Sequence, residues 1–239
     1  MIAPPAEDVL FFLSNSPTDK PGSGHHEQVR DPEEYASLPP NFRSMLSNFW
    51  VSPFSVEAEQ LPAQCHRTFP RRSRWNTVEH LFQACKIALA NPAEASLFSL
   101  DSGTNMSKAG GIAARMRRKV VELTKPQLYV WNGIQNQVML TGLRAKFTQH
   151  PDLGEMLYNT KQAVLTHSIE RNTPFSVDRC RQHLLESIRA ELQVNQQRLD
   201  ELRLLHAESQ QLDKTETPQG YAIEPNTTEK VEQPKAELV

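Results

Sequence analysis

The segment from Trp75 to Lys86 carries an acid, an amide and an amine at helical spacing. Glu79, Gln83 and Lys86 follow one another at intervals of four and three residues. An α-helix places residues i, i+4 and i+7 on one side, so these three side chains should line one face. The spacing therefore predicts a hydrogen-bonding wall that can act on a polar ligand.

An acid and an amine on one wall can perform acid–base and nucleophilic chemistry. A buried carboxylic acid can protonate a departing nitrogen, and a lysine can attack an opened sugar to form a Schiff base. Such a lysine must be partly neutral, which requires desolvation or a neighbouring cation, whereas Glu79 favours the charged amine. Taken singly, Glu79 is better explained as a helix-capping residue and Lys86 as a solvent-exposed lysine.

Several neighbouring residues are candidates for holding a ring and its polar substituents. Trp75 and Trp131 offer surfaces on which a base could stack, although each can instead belong to the core. Asn48 can bind ribose hydroxyls or a base edge, or simply form a turn. With them we expect Phe49, His80 and Gln83 to shape the pocket.

A basic stretch is the second candidate binding feature. Between Arg67 and Lys119 the chain has ten lysines and arginines against three acids, although its overall net charge is −2. Gly111 stands just before a predicted helix, whose free N–H groups can bind phosphate. Arg74 and Arg115 can clamp a pyrophosphate. Composition alone favours an ordinary solvated face.

Composition excludes several other classes of protein. The three cysteines are too few and too widely spaced for a disulfide framework, and neither CxxC nor HExxH occurs, so we expect no structural metal. No run approaches the roughly 20 apolar residues of a membrane span, and the N-terminus lacks the basic start of a signal peptide. We therefore expect a cytoplasmic or nuclear protein without membrane contact.

Periodicity predicts the elements that position these residues. Val9–Leu13 reads as a short buried strand, residues 14–40 as a surface loop insertion, and Phe49–Val56 as an irregular strand. Asn76–Leu89 is predicted to be a helix with Asn76 as its cap and Glu79 completing a capping box. Further helices are predicted at Pro92–Leu100, Ile112–Leu123 and Pro126–Thr148, with a polar loop over Ser102–Gly111.

The C-terminal part divides into a helix and a tail. Residues 179–208 are predicted to form an amphipathic helix, and residues 209–239 are polar, acidic and predicted to be disordered. Heptad-like spacing over residues 185–202 allows oligomerisation through a coiled coil, but packing of the helix on the domain is favoured.

Three short stretches together resemble one known family. They are Leu46-Ser47-Asn48-Phe49-Trp50, then Trp75-Asn76-Thr77-Val78-Glu79-His80 with Gln83 and Lys86, then Lys146-Phe147 with Gln149-His150-Pro151. In this order they are similar to the NADAR family, which includes the YbiA- and RibX-like N-glycosidases. The resemblance covers about residues 9–176 and implies a single, mostly α-helical α+β domain within residues 1–178.

The resemblance also implies a function. It points to an N-glycosidase that removes ADP-ribose from a nucleobase nitrogen, such as guanine in DNA or RNA, without a cofactor. Glu79 would be the central acid/base, and Lys86 the nucleophile or electrostatic stabiliser. The alternatives are cleavage of phosphorylated ribosylamino-pyrimidines, a non-catalytic ADP-ribose or NAD-binding module, and an interaction protein that works through its C-terminal helix.

One stretch departs from the family pattern. Asn172 stands where an aspartate is expected and Phe175 where a tryptophan is expected, and no glycine occurs between Gly154 and Gly220. An asparagine cannot act as an acid or base near neutral pH. Thr160 and His167 are then the nearest polar candidates in this region.

Overall fold

A computed structural model describes residues 7–13, 19–117, 121–167 and 175–197. The chain divides into a compact unit from Met1 to Gln196 and a second unit from Gln197 to Val239. The predicted tail at 209–239 and the end of the predicted C-terminal helix lie outside the described residues. Within them, no helix has both the length and the apolarity to cross a membrane.

The compact unit is a mostly helical α+β fold, as predicted. Its helices are α1 (Phe42–Leu46), α2 (Ala63–His66), α3 (Val78–Ala88), α4 (Pro92–Ser96), α5 (Asn105–Lys108), α6 (Gly111–Arg117), α7 (Lys125–Gln149), α8 (Pro151–Tyr158) and α9 (Val177–Cys180). A further helix, α10, is described over residues 183–197. Short 3-10 helices occupy Pro32–Tyr35, Ala58–Gln60 and Leu100–Ser102. The predicted loop at 102–111 thus contains α5, which Thr104 caps.

The strands form two small sheets. β1 (Val9–Phe11) pairs in parallel with β4 (Val164–Thr166), and this confirms the buried strand predicted near the N-terminus. β2 (Phe54–Glu57) pairs antiparallel with β3 (Arg72–Trp75). The strand predicted over 49–56 begins only at Phe54, since Pro53 has no N–H to contribute to a ladder.

Helix α3 begins one residue later than predicted. Its N-cap is Thr77, whose hydroxyl accepts the backbone N–H of His80, so the capping box predicted from Asn76 and Glu79 is wrong. Asn76 instead donates its amide to the carbonyls of Lys108 and Ala109. The hydroxyl of threonine satisfies an otherwise unpaired N–H at the helix start, and Glu79 is the second helical residue instead of the N3 residue of a capping box.

Helix α3 lies at the centre of the fold. It packs against α4, α6 and α7, and apolar residues such as Leu81, Cys85 and Ile87 are almost completely buried. On α7, Gly142 allows the close approach, because a Cβ there would lie 3.1 Å from the Leu81 side chain. With neighbours on several sides, α3 carries its polar residues into the interior.

The predicted loop insertion is more ordered than its composition indicates. Glu27 and Arg43 form a buried bidentate ion pair with distances of 2.9 and 2.7 Å. Glu27 also accepts the backbone N–H groups of Phe11, Gly22 and Gly24. The described residues 19–40 are therefore tied to β1 and α1 by a charged centre that single-residue patterns do not reveal.

The C-terminal helix α10 packs on the compact unit. Leu185 and Ile188 are buried in its core, and Arg189 donates to the carbonyl of Ala163 at 2.7 Å. The unit consequently runs past the predicted boundary at residue 178. The first apolar residues of the heptad-like series are used inside the chain, while the last ones, Leu199 and Leu202, lie outside the described residues.

Candidate active site

The acid and the amide predicted on one face of α3 are in direct contact. The Gln83 side chain donates its Nε2–H to Oε1 of Glu79 at 2.7 Å. Glu79 is 7 % exposed and Gln83 is 2 % exposed. Lys86 continues the same face one turn later and is half-buried. The wall therefore runs from a buried carboxylate towards a partly accessible amine.

The loop between α1 and β2 holds the start of this helix. The backbone carbonyl of Asn48 accepts the N–H of Glu79 at 3.1 Å. Asn48 and Phe49 are both half-exposed. The candidate ligand-binding residues on this loop are thus anchored directly to the candidate catalytic residue.

Lys146 binds the loop between α1 and β2 from the interior of the domain. The sequence does not predict it as a site residue. Its ammonium group is completely buried in α7 and donates to the carbonyls of Met45 and Ser47 at 2.6 and 2.8 Å. Burial lowers the pKa of Lys146 to about 7, because removal from water penalises the charged form. Lys146 follows Leu143 by three residues and therefore lies on the apolar face of α7. This position is the sequence signal that indicates its burial.

The buried amine makes stability depend on pH. Between the folded pKa of about 7 and the ordinary value of 10.5, the unfolded chain holds a proton on Lys146 that the folded chain has lost. We therefore expect the free energy of unfolding of the wild type to rise with pH in this window, by about 1 kcal/mol per pH unit.

Chemical denaturation at several pH values checks this, with Lys146→Met as the reference for all other titrating groups. The difference between wild type and variant should shift in favour of the wild type as pH rises. A difference that is constant over the window would contradict the pKa assigned to Lys146.

Phe49 packs tightly against the start of α6. A Cβ at Gly111 would lie 2.7 Å from the Cα of Phe49, so the two backbones touch at this point. The guanidinium carbon of Arg115 lies 6.0 Å from the centroid of the Phe49 ring. Gly111 is therefore required by packing, and this brings Arg115 over the loop that precedes β2.

Replacement of Gly111 by alanine should move Phe49. Because the clash is with backbone, we expect a loss of about 1–3 kcal/mol in the free energy of unfolding, as for other overpacked sites. Gly133 offers a control in an exposed position of α7, where a Cβ meets nothing within 4 Å. Gly133→Ala should stabilise the protein by about 1 kcal/mol. Equal stabilities of the two variants in urea unfolding would refute the contact.

The carboxyl ends of the parallel strands lie next to Arg115. Phe12 follows β1, and its ring centroid lies 5.0 Å from that of His167, which follows β4. Burial lowers the pKa of His167, and the positive charge of Arg115 lowers it further. Phe49, Arg115 and His167 thus form a polar and aromatic surface beside the loop that holds Glu79.

Trp75 and Trp131, the two candidate stacking surfaces, are both buried in the core. Trp75 is completely buried, with its ring edge-on to Phe69 at 5.1 Å. Trp131 is 2 % exposed and packs edge-on against Phe82 at 4.8 Å. Burial removes both rings from solvent, so both contribute to the packing of the interior.

Arg74 and His80 also have other partners than those predicted. Arg74 lies on the exposed face of β3 and pairs with Asp101 at 2.8 Å, so its charge is already balanced. His80 is completely buried, and its ring nitrogens contact the Thr77 hydroxyl at 2.8 Å and the Met106 carbonyl at 3.0 Å. It ties the start of α3 to α5 and holds the helix in place.

Thr160 proves to be a structural residue. It is completely buried, and its hydroxyl donates to the carbonyl of Leu157 at 2.7 Å and accepts from Arg189 at 3.0 Å. These bonds fasten α10 to the turn after α8. Of the two polar candidates in this region, only His167 lies at the strand ends near Arg115.

The arrangement defines an α+β domain whose central helix carries a buried acid–amide pair and begins at an aromatic loop, over which an arginine lies. Residues 38–191 match the NADAR domain. This match covers more than half of the chain, and the protein belongs to the NADAR family.

The chain is also similar to individual proteins of known sequence or structure. It is 35 % identical to the N-glycosidase YbiA of Escherichia coli K12 over 98 residues, which are 41 % of this chain and 54 % of that protein. It is 35 % identical to the N-glycosidase YbiA of Shigella flexneri serotype 5b over 127 residues, or 53 % and 64 % of the two chains. The matched segments span less than two thirds of these relatives. The NMR structure of Escherichia coli YbiA aligns with a TM-score of 0.44 and 26 % identity, over 64 % of this chain and 80 % of that chain.

Proposed function

We propose that the protein is an N-glycosidase that hydrolyses the bond between ADP-ribose and a nucleobase nitrogen, with guanine in DNA or RNA as the leaving base. Membership of the NADAR family and the N-glycosidase names of its relatives support the reaction class. The buried Glu79–Gln83 pair is the observation that carries the proposal.

The pair has an unfilled hydrogen-bonding position. Among the described residues, Oε1 of Gln83 is buried and accepts no hydrogen bond, while its Nε2 is bound to Glu79. A buried acceptor without a donor costs on the order of 1–3 kcal/mol, so such groups usually have a partner when the protein functions. A ribose hydroxyl is a donor of the right kind, and it would place the sugar next to the carboxylate.

The chemistry requires two proton movements and one charge to be stabilised. As the C1–N bond breaks, its electron pair passes to the base nitrogen, and C1 becomes cationic. The ionised Glu79 carboxylate stabilises this charge and takes the proton from the water that attacks C1. Glu79 then passes this proton to the nitrogen of the departing base, so the reaction consumes one water and leaves Glu79 ionised again. Gln83 keeps the carboxylate in one orientation, which lowers the entropic cost of reaching the transition state.

The remaining residues fit the anionic part of the ligand. Arg115 supplies a positive charge for a pyrophosphate, and the half-exposed Asn48 and Phe49 offer an amide and a ring beside it. Trp75, Trp131 and His80 lie buried in the core.

Substrate preference tests the proposal. Purified protein should release ADP-ribose from an ADP-ribosylated guanine nucleotide, monitored by chromatography, and act much more slowly on a phosphorylated ribosylamino-pyrimidine. The reverse preference would show that the substrate is a phosphorylated ribosylamino-pyrimidine instead of an ADP-ribosylated base. The protein could also bind ADP-ribose in calorimetry but release it from neither substrate. This result would identify a non-catalytic binding module and overturn the proposal.

The role of Lys86 separates two mechanisms. If Lys86 attacks an opened sugar, borohydride should trap a covalent adduct during turnover, and Lys86→Arg should lose activity because arginine forms no Schiff base. If Lys86 only stabilises charge, Lys86→Arg should keep most of the activity and no adduct should form. Its position one turn beyond Gln83, half-buried, leads us to expect the charge-stabilising outcome. Detection of the adduct by mass spectrometry would contradict this expectation.

A further inference from the structure

An aromatic stack lies on the surface of the insertion that precedes α1. The rings of His26 and Phe175 are parallel, with centroids 4.1 Å apart and an interplanar angle of 4°. The ring of His25 lies 3.8 Å from that of His26. Both histidines are exposed and Phe175 is half-exposed. Three rings from two distant segments are thus gathered at the surface outside the core.

The loop that carries the histidines is held rigidly. His26 adopts a left-handed backbone conformation with φ of 63°, which is uncommon for a residue other than glycine. The adjacent Glu27 is fixed by the buried Arg43, whose guanidinium also donates to the carbonyls of Asp19 and Lys20. A buried ion pair is costly to form unless its geometry is well satisfied. Here it stabilises a loop whose apex presents two imidazoles to solvent.

The stack lies at the same strand ends as the candidate site. Phe11 contacts the rings of both His26 and Phe175 edge-on, at 5.4 and 5.7 Å. The next residue, Phe12, contacts His167, which lies within the electrostatic influence of Arg115. A continuous series of side chains therefore connects the stack with the surface beside Glu79.

The histidines lie outside the matched family domain, which begins at residue 38. The domain itself supplies Glu79, Gln83 and Arg115, which serve the part of the substrate common to the proposed reaction. The loop adds a surface beyond that common part. We propose that the stack of His25, His26 and Phe175 binds an unpaired nucleobase next to the modified nucleotide, so that this protein prefers a single-stranded nucleic acid to a free nucleotide.

The chemistry of the stack favours this occupant. Aromatic side chains bind bases of single strands through their faces, and every base can be accepted because each has a π-face. The exposed ring of His25 borders the parallel pair formed by His26 and Phe175, and it is inclined to the His26 ring by 49°. A base on the exposed face of His25 would add a fourth ring to this aromatic cluster, while the backbone of the strand remains in solvent.

Two measurements test this inference. Only the first measurement depends on the proposed function. In the first, wild-type protein should hydrolyse an ADP-ribosylated guanine within a short single strand with a KM about tenfold lower than for the free ADP-ribosylated nucleotide, given the strength of base stacking. The double variant His25→Ala/His26→Asn should lose this difference and keep its activity on the free nucleotide. Asparagine tolerates the left-handed conformation, so the loop should be preserved.

The second measurement is independent of catalysis. Fluorescence anisotropy with an unmodified, labelled single strand should show binding by the wild type that is weakened about tenfold in the double variant. His25→Phe keeps a ring and should bind like the wild type. Tyr129→Ala removes a ring that is 83 % exposed on α7 and serves as the control. Equal binding by wild type and double variant would overturn the inference, even if hydrolysis is observed. Hydrolysis of neither substrate, with binding intact, would refute only the proposed function.

Discussion

Replacement of Glu79 by glutamine is expected to abolish hydrolysis while leaving ligand binding almost intact. Glutamine keeps the shape of the side chain and can still accept the hydrogen bond from Gln83, but it carries no negative charge and takes no proton. Positioned acid–base groups contribute about 10²- to 10⁴-fold to a rate, so we expect kcat to fall by at least about 10²-fold. Single-turnover release of ADP-ribose and calorimetric binding measure the two effects separately.

Glu155 provides the matched control for this substitution. It is an exposed carboxylate on α8, and Glu155→Gln should leave both kcat and affinity at the values of the wild type. Turnover in Glu79→Gln equal to that of Glu155→Gln would remove Glu79 from the mechanism. Loss of both binding and stability in Glu79→Gln would instead assign the carboxylate a structural role.

Replacement of Arg43 by methionine should have the largest effect on stability. Glu27 would then remain buried without a cation, and the carbonyls of Asp19 and Lys20 would lose their donor. Removal of one partner from a buried ion pair costs about 3–5 kcal/mol. We expect a decrease of this size in the free energy of unfolding, measured by urea denaturation followed by circular dichroism.

An exposed ion pair serves as the comparison. Arg72 lies 3.6 Å from Glu57 on the outer face of the β2–β3 sheet, and both side chains are largely accessible to solvent. Exposed pairs contribute about 0–1 kcal/mol, so Arg72→Met should unfold close to the wild type. If Arg43→Met unfolds at the same urea concentration as Arg72→Met, the insertion is not held by its charged centre.

The sequence predicts the central helix and its catalytic face because both depend on local periodicity. Spacings of four and three residues place Glu79 and Gln83 together in any α-helix, and the structure confirms their contact. The family resemblance rests on short stretches in a fixed order, so it can also be detected without knowledge of tertiary contacts. The predicted buried strand near residue 9 was found for the same reason, since a continuous apolar run is a local signal.

Local sequence says least where tertiary contacts decide the surroundings of a side chain. The types of Trp75 and Arg74 suit a ligand, but burial against Phe69 and an ion pair with Asp101 occupy them. Lys146 was overlooked because a charged residue is usually expected at the surface. The carbonyls that bind Lys146 lie about a hundred positions away in sequence, so no local window contains its partners.

The parallel pairing of β1 with β4 has a consequence for how the chain folds. The hydroxyl of Thr166 donates to the carbonyl of Leu10 across 156 positions of sequence. Contacts of this range form slowly, because a long loop must close before they stabilise anything. During synthesis, β1 therefore remains unpaired until most of the domain has left the ribosome. The helical core around α3 can assemble earlier, so the strand-end surface beside Arg115 should be the last part of the domain to mature.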